Sequence, residues 1–259
     1  MRFEMWSVWH FIYILSPIMV MVPLWFILRK RSQKTKYIVG VVIGCISLAI
    51  IIARNIDILV REGFHPEIIP LQVCHFGNIM VFISLVFRSK IATSIAWSLN
   101  LLAAFSSLVV ADALVGYSNI FVIRAQAYIW GHLFIVVGAL YAIIFKIVRI
   151  NLKSFLIGLG VTAALLIPSI ILNSYFNDVA GIGINYFYVY NSHGVPFEFI
   201  YKLGSRHTYG WFTINWVYTI TVVLAFSVVM YLIYLSQKLF YRKGDTYNTQ
   251  HIFAKKRPI

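Results

Sequence analysis

Seven apolar runs, each long enough to cross a bilayer, decide what this chain can fold into. They cover residues 7–28, 37–53, 66–87, 91–110, 126–145, 154–171 and 213–235. A spanning helix takes about 17–25 apolar residues. In hydrocarbon only helices and closed barrels satisfy their own backbone. Continuous runs of this length therefore predict an all-α polytopic membrane protein, a bundle of seven transmembrane helices. The chain is only 12% charged, against about 25% for a globular domain. No repeat, linker or low-complexity tract divides it, so residues 1–259 read as a single domain. The first run has no basic stretch before it and no small-residue cleavage site after it, which predicts a retained span rather than a signal peptide.

The net charge of +14 is that of many nucleic-acid binders, but its placement argues against such a partner. Sixteen of the 22 Lys and Arg residues fall in the links after spans one, three and five and in the tail. Six fall on the opposite side: Arg2, Arg54, Arg61, Arg124, Lys202 and Arg206. Basic links stay cytoplasmic, so the expected topology has the N-terminus outside and the C-terminus in the cytoplasm, in the plasma membrane.

The outward half holds the polar variety. Gln72, Cys74, His75 and Asn78 lie within seven positions of one apolar run. At about 100° per residue they fit one inward arc. Intramembrane polar groups mark sites, but Gln, His and Asn also tie helices together, and a buried Cys behaves as a small hydrophobe. Taken alone, this stretch fits interhelical glue better than a site. Span two is expected to end in Arg54 and Asp57, whose charges can pair. His132, with Tyr128 one turn above it, is placed about 9 Å below the outer end of its span, and Cys74 about 12 Å. His10 stands three residues into the first span. The link 175–212 carries twelve Phe, Tyr or Trp residues. It reads as a lid or re-entrant segment that brings Asn185 and Tyr186 to the outer mouth.

The chemistry that fits this convergence is nucleophilic. A thiol attacks as thiolate, and a neighbouring imidazole can take its proton. Adjacent helical residues do not face each other, so His132 is a better base for Cys74 than His75. A thiol in the outer leaflet meets acyl chains, which points to acyl transfer through a thioester. No HxxH, HExxH or CxxC spacing supports a metal, and no cofactor is expected. The last span lacks a lysine before Lys238, which leaves no Schiff-base amine for a retinal. Cys45 and Cys74 both fall inside spans and define no disulfide.

The segments Met5-Trp-Ser-Val-Trp-His-Phe-Ile-Tyr13, Pro70-Leu-Gln-Val-Cys74, Gly131-His132 with Leu140-Tyr141, and Asn185-Tyr-Phe-Tyr188 resemble the YwaF-like family of seven-span bacterial membrane proteins. That family is similar to transmembrane protein 164, a eukaryotic acyltransferase. The resemblance runs in span order over nearly the whole chain. It implies an enzyme that moves a fatty acyl chain between membrane phospholipids, with Cys74 carrying the acyl group and His132 as the base. His10 and Asn185 match motif positions to which no role attaches, and His75 has no counterpart in the pattern.

Two other classes stay open on the residues alone. Intramembrane His, Asp and Arg also line ion paths, and Pro17, Pro23 and Pro168 can kink helices around a conduit, as in a transporter or a heptahelical ligand-binding protein. No inverted repeat supports transport. A scaffold in which every polar residue is glue is the third reading.

Overall fold

The computed structural model describes residues 2–192 and 198–241. Of the basic tail, Arg242, Lys243, Lys255, Lys256 and Arg257 lie outside the described residues. Seven helical segments are long and apolar enough to cross a membrane; they are built on α1 Val8–Leu28, α2 Gln33–Glu62, α3 Val73–Phe87 together with the turn that precedes it from Pro66, α4 Lys90–Val109, α5 Ile123–Ile144, α6 Leu152–Ser174 and α7 Trp216–Ser236. The chain is thus a multi-pass membrane protein.

Local chemistry sets where these helices begin. Ser7, Ser32, Ser89, Asn151 and Asn215 precede α1, α2, α4, α6 and α7, and each side chain accepts a backbone N–H from the first turn. Such caps satisfy donors that a helix start leaves orphaned. Helix α1 runs unbroken through Pro17 and Pro23. Pro17 cannot donate to the Tyr13 carbonyl, and the Ser16 hydroxyl donates to it instead at 2.6 Å.

Helices α4 and α5 form the centre and are the most buried of the spans, while α1, α6 and α7 are the least. Helix α5 packs against α1, α2, α3 and α4, while α4 also carries α6 and α7. Exposed Val8, Ile18, Ile167, Leu224 and Leu232 face outward, where lipid replaces water and apolar exposure costs nothing. The α4 register is set by polar ties: Ser94 Oγ donates to Ser154 O at 3.1 Å and Trp97 Nε1 to Ile233 O at 2.8 Å. Within α4, residues Ala96–Asn100 form a π turn.

Three features depart from expectation. Span two continues to Glu62, so Arg54 and Asp57 lie inside a helix rather than at its end. They do not pair with each other: Arg54 meets Glu67 at 2.6 Å, and Asp57 meets Arg61 at 2.6 Å one turn on. Span three is broken. Pro66–Ile68 is a 3₁₀ turn, and α3 starts only at Val73. Proline at 66 and again at 70 withholds the N–H groups that a continuous helix needs. The late link holds a two-stranded antiparallel hairpin, β1 His207–Tyr209 with β2 Phe212–Ile214, in an otherwise helical protein. Ser174 Oγ straps β2 to the end of α6, donating to Thr213 O at 3.0 Å and accepting from Thr213 N at 3.1 Å.

Small residues let the central helices touch. A Cβ added to Gly138 would run into the side chain of Val81, which is fully buried. Gly138→Ala should therefore overpack the α3–α5 contact and cost about 1–3 kcal/mol. Thermal unfolding in detergent should show a lower Tm, and adding Val81→Ala should restore most of it. An unchanged Tm in the single variant would contradict this packing.

Candidate functional site

The break in span three puts Cys74 in the first turn of a helix rather than deep inside one. Gln72 is the N-cap residue, its side chain making no capping bond, so it precedes the helical arc expected to hold it. Cys74 is half-buried. The backbone N–H groups of Cys74 and His75 lie beside its sulfur at this helix start, with no hydrogen bond from either to it among the described residues. First-turn N–H groups lack helical partners and carry the positive end of the helix dipole, the environment in which reactive thiols occur.

Three tyrosines from separate elements stand close enough to Cys74 to interact with its charge: Tyr13 on α1, Tyr128 on α5 and Tyr188 in the late link. Tyr128 is also the neighbour of His132. Their rings lie 4.2 Å apart between centroids, and His132 Nδ1 is 2.7 Å from the Tyr128 carbonyl. A carbonyl only accepts, so Nδ1 carries the proton and Nε2 keeps a lone pair. His132 is buried. Among the described residues Nε2 has no hydrogen-bond partner, and no hydrogen bond joins it to Cys74. Helix α5 comes against α3 beside it: a Cβ on Gly131 would lie 3.4 Å from Asn78 Nδ2.

Other residues nominated by sequence have structural duties. Asn78 accepts from Ser47 Oγ at 2.7 Å and donates to Cys74 O at 2.9 Å, tying α2 to the start of α3. His10 is fully buried, with Nδ1 accepting from Trp6 N at 2.9 Å and Nε2 donating to Leu108 O at 3.0 Å. Both ring nitrogens are used, so His10 joins α1 to the end of α4 and has none left for chemistry. Arg54 reaches across to Glu67 and the span-three break. Asp57 is engaged with exposed Arg61. Asn185 bonds Asn191 and the Tyr190 N–H within the link.

Tyr186 is different. It is fully buried, its hydroxyl donates to Pro66 O, and Asn173 clamps its backbone from α6 with bonds of 2.7 and 3.0 Å. Burial beside Glu67 pushes its phenol up to about 12. Phe187 packs against Phe76, with centroids 6.1 Å apart. The late link thus folds back onto the break that precedes Cys74. His75 is buried near Arg54 and His132, and its Nδ1 has no partner among the described residues.

Three contributors escaped the sequence reading. Tyr13 and Tyr188 sit in aromatic-rich stretches where nothing marks them out. Asn100 is a lone amide in an apolar span. The π turn turns it toward α3, where its Nδ2 donates to Val73 O at 3.0 Å, next to the nucleophile candidate. Among the described residues no three His, Cys, Asp or Glu side chains are grouped to hold a metal ion.

No curated protein and no solved structure is significantly similar to the chain. Residues 5–240, which include every element described above, match the TMEM164 family. With nearly its whole length matched, the chain belongs to the TMEM164 family.

Proposed function

We propose that this protein is a membrane acyltransferase that moves a fatty acyl group between phospholipids through a thioester on Cys74. The observation that supports the proposal is that Tyr128 neighbours both a helix-start thiol and an imidazole whose tautomer its carbonyl fixes. Family membership agrees with it.

The reaction balances on these groups. Nε2 of His132 takes the Sγ proton, and the thiolate adds to the acyl carbonyl of a donor phospholipid. The ester C–O bond breaks, and the lysophospholipid oxygen leaves with the proton returned from His132. Nε2 then takes a proton from an acceptor hydroxyl, whose oxygen attacks the thioester. The C–S bond breaks and Cys74 recovers its proton. No redox partner is needed. A hydrogen bond between base and nucleophile need not be formed in the free protein, since catalytic hydrogen bonds tighten on substrate binding.

His132→Ala should lower turnover of labelled phospholipid by about 10²–10⁴-fold. Cys74→Ser, which barely changes packing but is far harder to ionise, should lose at least as much. The double variant should fall no further than the worse single one. Intact mass spectrometry of protein from membranes should show a fatty-acyl increment that hydroxylamine removes. Full activity in Cys74→Ser would abandon the thioester and favour a transporter.

The reading also orients the protein. The Cys74 end faces outward, and the end bearing the basic links lies in the cytoplasm of a plasma-membrane protein. A cysteine placed at Ser32 should react with impermeant maleimide only after the membrane is opened from the cytoplasmic side. Labelling from outside in intact cells would reverse the topology.

A further inference from the structure

Thiolate attack on an acyl ester turns the carbonyl oxygen into an oxyanion, and in a water-excluded site that charge needs donors aimed at it. Cys74 and His132 supply a nucleophile and a base, and neither side chain supplies such a donor. The first-turn N–H groups of Val73, Cys74 and His75 find no backbone acceptor among the described residues, and the Gln72 side chain does not cap them.

Three phenols stand near Cys74, and two have committed their protons. Tyr128 OH donates to Ser107 O at 3.0 Å, and Tyr13 OH to Tyr128 O at 3.5 Å. The Tyr188 hydroxyl donates to no group among the described residues, although it lies near both Cys74 and Tyr128. Structural tyrosines in this protein spend the O–H on a carbonyl, as Tyr37, Tyr141, Tyr186 and Tyr218 do.

Tyr188 is also held in place against its backbone preference. Phe187 and Tyr188 are both left-handed, with φ of 50° and 55°. Bulky residues rarely enter that region, and they stay there only where surrounding contacts enforce it, most often at active sites. Asn173 holds the Tyr186 backbone, Phe187 lies on Phe76 two residues along α3 from Cys74, and Tyr218 OH donates to Tyr188 O at 3.0 Å. These contacts fix the main chain and leave the phenol uncommitted. A second group beside the thiol lacks a protein partner too. His75 is only 8% exposed, and its Nδ1 is unbonded among the described residues. Buried polar atoms are nearly always paired. An unbonded phenol and an unbonded imidazole nitrogen around one thiol mark a space that a polar ligand group completes.

We infer that Tyr188 is a further catalytic residue, whose phenol donates a hydrogen bond to the acyl carbonyl oxygen when Cys74 attacks, alongside the free N–H groups at the start of α3. This role presupposes the thioester proposed for Cys74. The sulfur lone pair forms the C–S bond, the carbonyl π pair moves onto oxygen, and Tyr188 stabilises that charge without giving up its proton. As the carbonyl re-forms, the ester C–O bond breaks and the leaving oxygen takes the proton held by His132. The group recognised is an ester carbonyl, which ether-linked chains lack.

Tyr188→Phe tests the role, because it removes one oxygen and no described hydrogen bond. With labelled phospholipid, kcat should fall about 10²–10³-fold, the loss expected for one oxyanion donor, while KM changes little. A fatty trifluoromethyl ketone, whose adduct with a thiolate carries an oxyanion, should bind Tyr188→Phe more weakly than wild type by a similar factor. A diether phospholipid should bind both alike. Tyr190→Phe removes a phenol from the same link at its contact with Asp178, and should change none of these. Unchanged kcat in Tyr188→Phe beside an active wild type would overturn the oxyanion role and leave the Cys74 reaction standing. A loss confined to KM, or shared equally by the diether lipid or by Tyr190→Phe, would overturn it as well. Wild type with neither turnover nor an acyl increment on Cys74 would remove the reaction itself, and this role with it.

Discussion

Polar groups inside a bilayer have no water to turn to, and this constraint governs every contact described above. Each span answers it first with helix, then with side chains that repair what the helix leaves open. Ser16 supplies the donor that Pro17 withholds. Ser94 and Trp97 spend their donors on carbonyls of neighbouring helices. Asn78 uses its amide in both directions. Such hydrogen bonds are modest individually, about 0.6 kcal/mol on average between membrane helices. Their main effect is register, because each one is geometrically satisfiable in a single alignment.

The same constraint sorts glue from site. A polar residue whose donors and acceptors are consumed by protein has no capacity for substrate. By that criterion His10, Asn78 and Asn185 are structural, although sequence placed them beside Cys74 and His132. His132 is only half consumed: one nitrogen is fixed to Tyr128, and the other is left with its lone pair. Backbone N–H groups lie beside Cys74, which is tied to no other side chain among the described residues. His75 also keeps an unpartnered Nδ1, but it is adjacent to Cys74 on the helix, where neighbouring residues do not face each other.

The helix count and most span limits were legible because lipid imposes one signal, an apolar run of fixed length, on each span. The charge asymmetry was legible for the same reason. Arg54 and Asp57 were misplaced because charge inside a run looks like its end. The chain instead carries α2 two turns further and hides Arg54 against Glu67. The break before α3 was harder, since Pro66 and Pro70 bracket residues apolar enough to continue a span. Cys74 and His132 were nominated from residue type and from the family resemblance. Tyr13, Tyr188 and Asn100 were not, because their roles come from which helices become neighbours, and no local pattern encodes that.

That break has a consequence for chemistry. An unbroken span three would have given the N–H groups near Cys74 to carbonyls one turn earlier, leaving the thiol among apolar side chains. Starting α3 at Val73 frees them beside the sulfur, but it also exposes irregular backbone where lipid cannot satisfy it. The late link removes that exposure. Tyr186 takes the Pro66 carbonyl, Phe187 covers Phe76, and Asn173 holds both by clamping Tyr186 to α6. On the other side, Asn100 takes the Val73 carbonyl from the π turn of α4. The helix start that serves Cys74 is therefore stable only because two distant segments, residues 173–187 and 96–100, close around it. The irregular parts of this protein belong together: the broken span, the π turn and the folded-back link are one arrangement, organised around a single helix start.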